Sequence, residues 1–115
     1  MSYDICFKYR IGMTDKYVTN YDDEFNMTYN VGNILRKSSG YDKWSGSLNV
    51  CVLELFKPFK KGLKELKNNV EKYRELEPSN GWGNCENVIK FYEWFFEQLK
   101  EYTEEEMQYI NLFVY

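Results

Sequence analysis

Residues 85–102, CENVIKFYEWFFEQLKEY, set Val88, Ile89, Tyr92, Phe95, Phe96, Leu99 and Tyr102 at helical spacing, and Phe91 and Trp94 widen the apolar stripe around the cylinder. A helix lying on a surface needs only one apolar face. So wide a face predicts a helix touching two layers, a sheet on one side and another helix or subunit on the other. Downstream, Ile110, Leu112 and Val114 alternate with Tyr109, Asn111, Phe113 and Tyr115. That pattern predicts a terminal strand apolar on both faces, in a sheet covered on both sides or at an interface.

Upstream, NVCVLELFKPFKKGLKELKNN (49–69) places Val52, Leu55, Phe56, Phe59, Leu63 and Leu66 on a helix face, with Asn49 as the expected N-cap. Pro58 removes a backbone donor and predicts a kink or split near Leu55 to Lys57. Residues 69–76 add another turn or two of helix. A short helix is expected from near Asn30 to the Ser38-Ser39-Gly40 cluster. At the N-terminus, Tyr3, Ile5, Phe7, Tyr9 and Ile11 alternate with polar residues, the period of a half-buried strand. A turn over 12–15, a short return strand over 16–20 and an exposed loop over 21–26 complete the reading. The expected fold is α+β: a small antiparallel sheet, made of an N-terminal hairpin plus the C-terminal strand, packed against three or four helices. A chain of 115 residues, 43% hydrophobic and 19% aromatic, makes one domain over 1–115 with a single core.

Composition narrows the chemistry. With no histidine, Ser-His and Cys-His nucleophile pairs, imidazole metal sites and histidine bases are all excluded. The acidic runs Asp22-Asp23 and Glu104 to Glu106 lack apolar neighbours that would raise a carboxyl pKa. Cys85 is the one candidate nucleophile, in the first turn of a helix where the dipole favours thiolate, but nothing pairs with it as a base. Three widely spaced cysteines, Cys6, Cys51 and Cys85, fit neither a disulfide framework nor a metal signature and read as free thiols of a reducing compartment. No catalytic residue, metal ligand or cofactor is expected, and the chain reads as a non-enzyme. No apolar run has the length of a signal or membrane span, so a cytoplasmic location without membrane contact is expected. The net charge is −3. Lys57, Lys60, Lys61, Lys64 and Lys67 are interleaved with glutamates and read as a solvated helix face, so direct nucleic-acid binding is not expected.

Two loops stand out. PSNGWGN (78–84) carries a tryptophan between glycines just ahead of Asn84, the expected N-cap of the 85–102 helix. Glycines 81 and 83 allow sharp turns that aim Trp82 by backbone geometry. The indole either folds back as a plug over the core or stacks on a planar ligand while the helix amides hold an anion. NMTYN (26–30) also runs into a helix start, and its polar side chains either bond their own backbone or face a ligand. If the loops meet, Asn26, Thr28, Tyr29, Asn30, Asn80, Trp82 and Asn84 would line one uncharged pocket, with Arg36 and Arg74 adding anion contacts.

Those two segments, as N-x-T-Y-N and Y-R-x-L-x-P-x-N-G-W-G, together with the MSYDI start, resemble small uncharacterised proteins of bacteriophages and bacterial genomes. The resemblance covers most of the chain. It implies a phage or mobile-element accessory protein acting in the host cytoplasm, either by interfering with a host or defence protein or by capturing a nucleotide-like signal. Self-association through the two-faced last helix and strand is a further expectation.

Overall fold

The computed structural model describes residues 2–12, 14 and 16–115, with the backbone alone for Asn20, Tyr21 and Asp22. Four antiparallel strands, β1 (Ser2–Arg10), β2 (Tyr17–Thr28), β3 (Leu48–Cys51) and β4 (Ile110–Val114), form one sheet in the order β2-β1-β4-β3. Its helices are α1 (Gly32–Ser39), α2 (Val52–Asn68), α3 (Cys85–Leu99) and the single turn α4 (Glu104–Met107). Tighter 3-10 turns at Tyr29–Val31 and Val70–Leu76 lead into α1 and follow α2. The fold is α+β, as expected. The turn predicted over 12–15 includes Met13 and Asp15, which lie outside the described residues.

The wide stripe of α3 does what its width predicts. Phe91 and Trp94 meet Phe25, and Trp94 stacks on Phe7 at 5.0 Å, which ties α3 to β1 and β2. On the other side Phe59 of α2 lies 4.9 to 5.5 Å from Phe91, Tyr92 and Phe95. Ring pairs of this kind add to the burial of their large apolar surfaces. α1 closes the core with Ile34 and Leu35, and Gly40 ends it at φ 77°.

Three expectations are corrected. Residues 21–26 belong to β2, because Phe25 pairs with Ile5 and Met27 with Tyr3, and both pack inward. The acids that suggested a loop coincide with a bulge, since Ile5 pairs with Phe25 and Phe7 with Asn20. Asn49 is not a cap but the exposed middle of β3, bonded through its side chain to Asn111, while Leu48 is buried and Val50 packs against the core. Strand pairing with β4 claims Leu48–Cys51, so α2 starts at Val52 after a Cys51 that makes no side-chain cap. α2 is also not split: it runs unbroken through Pro58, because buried Leu55, Phe59 and Leu66 outweigh one lost backbone bond. β4 turns Ile110, Leu112 and Val114 into the core and Phe113 to the opposite face. There Phe113 stacks on Tyr115 and carries the Lys8 ammonium 3.7 Å above its ring.

Candidate binding site

The 78–84 loop is held open by its own chemistry. The Gly81 amide donates to the Pro78 carbonyl at 3.3 Å, and the Trp82 amide donates to Asn80 Oδ1 at 2.9 Å. Gly81 and Gly83 sit at φ 76° and 108°, a region that glycine enters without strain. Gly83 is required twice over, since a Cβ there would lie 2.6 Å from both Thr28 and Val31. This close approach seats the loop against the end of β2. Trp82 is not a core plug: it is 70% exposed.

A brace fixes both ends of the loop. Glu77 accepts from the Cys85 amide at 2.8 Å and from Arg74 at 2.9 Å, and Arg74 also makes two bonds of 2.8 and 2.7 Å to Glu86. Asn84 caps α3 as expected, accepting from the Asn87 amide at 3.1 Å while Asn87 accepts from the Asn84 amide at 2.8 Å. The Cys85 amide first, and then Arg74, hold the Glu77 carboxyl below its ordinary range against the opposing effect of burial. Arg74 does the same for Glu86, and its own guanidinium is shifted upward by Glu86 and Glu77. The helix terminus that was expected to hold a ligand's anion therefore holds the protein's own Glu77.

Two shallow hollows flank this loop. One, of about 360 Å³, is lined by Phe25, Asn26, Met27 and Thr28 of β2, by Gly81, Trp82 and Gly83, and by Asn87 and Lys90 of α3. The other, of about 520 Å³, shares Asn26, Met27, Thr28 and Trp82, and adds Ser2, Asn30 and Asn80. The two predicted loops thus meet, and Asn26, Thr28, Asn30, Asn80 and Trp82 come together as expected. The other four candidates do not join them. Tyr29 turns aside to pack its ring 4.4 Å from Tyr3, and its hydroxyl lies beside Gly46. Arg36 donates to the Trp44 carbonyl at 2.8 Å and to Asn33 at 2.9 Å. Arg74 is bound by its carboxylates, and Asn84 by its capping partner. Sequence reasoning missed Ser2, Phe25, Met27, Asn87 and Lys90. Asn87 and Lys90 lie three residues apart on the helix and off its apolar stripe, and that spacing was the available signal.

Cys85 is fully buried, and burial first, then Glu77, pushes its thiol up to about 12. It is protonated at neutral pH, so the dipole's pull toward thiolate is overridden. Among the described residues, no group of three or more cysteines, aspartates or glutamates could hold a metal, and no helix is long and apolar enough to cross a membrane. No family model, curated protein or solved structure matches this chain.

Proposed function

We propose that this is a non-catalytic binding protein whose contact centre is Trp82 with the hollows on either side of it. In the phage or mobile-element setting that the resemblance implies, its partner is a host or defence protein. One observation carries the reading: the largest apolar side chain stands 70% exposed on a turn braced at both ends. Leaving an indole in water forfeits stabilisation that burial would supply, and a rigid, exposed Trp is a typical anchor of protein interfaces. The polar, open hollows suit a protein surface better than an enclosed small molecule.

A nucleotide finds weaker support. Its phosphates would need cations or free helix amides, yet Arg36, Arg74 and the start of α3 are already engaged. Lys90 is the cationic residue lining the hollows.

The test is affinity capture from host cytosol with wild type, Trp82→Ala and Lys64→Ala, the last on the exposed face of α2. A specific partner retained by wild type and Lys64→Ala but lost by Trp82→Ala supports the reading. Identical capture by all three overturns it. A thermal shift with nucleotides that Trp82→Ala abolishes would transfer the site to the small-ligand reading.

A further inference from the structure

β2 is one of the sheet's two edge strands, and the sheet's pairing tells which of its main-chain groups face outward. Asp4 exchanges two backbone bonds with Tyr115, of 3.2 and 2.9 Å. Successive residues of an antiparallel strand direct their main-chain groups to opposite sides. Tyr3 and Ile5 therefore bond toward β2, and their partners Met27 and Phe25 bond back. Asn26 and Thr28, between and beyond those partners, direct their amides away from the sheet. These same two residues line both hollows.

We propose that this edge accepts an extended, basic segment of a protein partner as a fifth strand. Its main chain pairs with Asn26 and Thr28, and its alternate side chains enter the hollows on either side of Trp82. The proposal rests on the reading of Trp82 as a binding centre and specifies how the partner is held. Strand addition combines main-chain bonds, which supply affinity, with pockets for every second side chain, which supply selectivity. Charge argues for the occupant: residues 17–28 include Asp22, Asp23 and Glu24 and no base. A second copy pairing antiparallel along the full length of β2 would set these acids against each other, which destabilises a strand pair. Lysines or arginines in a partner segment complement them. A copy paired about Asn26 and Thr28 alone is distinguished by whether a concentration-dependent dimer forms.

The intact protein is panned against a display library of random dodecapeptides, and the recovered peptides are titrated against wild type, Trp82→Ala, Asn26→Pro and Asn26→Ala. Proline deletes the outward amide yet leaves pairing with β1 intact, as edge strands allow. Recovered peptides should alternate lysine or arginine with other residues. They should bind Asn26→Pro roughly tenfold more weakly than Asn26→Ala, because both variants lose the side chain that lines the hollows and only proline also removes the outward amide. If Asn26→Pro fails to fold, amide exchange on the wild-type complex reads the same contact, through new protection at Asn26 and Thr28. No enriched peptide, wild-type affinity of folded Asn26→Pro, or protection at β3 instead overturns the proposal. So does a concentration-dependent dimer that Asn26→Pro dissolves, because the edge then belongs to a second copy. Binding weakened by Trp82→Ala but not by Asn26→Pro removes the added strand and leaves Trp82 as a contact centre. Binding weakened by neither removes both.

Discussion

Replacing Gly62 by alanine should destabilise the protein by about 3 kcal/mol, although in an open helix the same change stabilises by about 1 kcal/mol. Gly62 is buried within α2, and an added methyl carbon would lie 2.6 Å from the Tyr92 hydroxyl oxygen and 2.7 Å from the ring carbon bearing it. The ring cannot easily retreat, because Phe59 and Phe91 pack against it at 5.2 and 6.0 Å. Its hydroxyl donates to the Leu35 carbonyl at 3.1 Å and shares a 2.7 Å bond with Ser38 Oγ, fastening α3 to α1. Overpacking costs about 1–3 kcal/mol, and a buried polar group left without its partner costs about as much again. The propensity gain offsets only about 1 kcal/mol of this. At a urea dependence of about 1.5 kcal/mol per molar, the unfolding midpoint should fall by roughly 2 M. In a Tyr92→Phe background the hydroxyl is gone, so adding Gly62→Ala should cost about 1 kcal/mol less. An unchanged or raised midpoint for Gly62→Ala would refute the contact between α2 and Tyr92.

Trp82→Ala should change the urea midpoint little, by less than about 0.5 kcal/mol equivalent, because the side chain is mostly exposed. A thiol reagent should label half-buried Cys51 in the native protein and reach the buried Cys6 and Cys85 only on unfolding, as timed mass spectrometry can show. The Glu77 and Glu86 carboxyls are depressed below 4.5 in the fold, so they contribute stability above that value and lose it as pH falls through their folded values. Urea midpoints should therefore drop as pH is lowered from about 5, and Glu77→Gln should flatten that drop.

What the sequence made legible was what local chemistry decides. The stripe over 85–102 announced a helix in contact with two layers because ring size and spacing leave no other way to bury it. The Asn84 cap, the Gly40 stop and the turn around Trp82 follow from residues within a few positions of one another. The misses were decided elsewhere in the chain. β3 is only four residues long and merges into the pattern of α2, so pairing with β4 is what defines it. The second half of β2 hid behind its acids, which an edge strand tolerates. Tyr29 was assigned to the pocket by its place in the 26–30 segment and Arg36 and Arg74 by residue type, but Tyr3, the Trp44 carbonyl and Glu86 claimed them first. Spacing along the chain carries no sign of such competition.

The most direct test of the account places a photo-crosslinking amino acid at position 82, with a control at position 64 on α2, and irradiates each protein in its host cytosol. The account predicts a discrete adduct from position 82 and none from position 64. Adducts from both positions, or from position 64 alone, would contradict it.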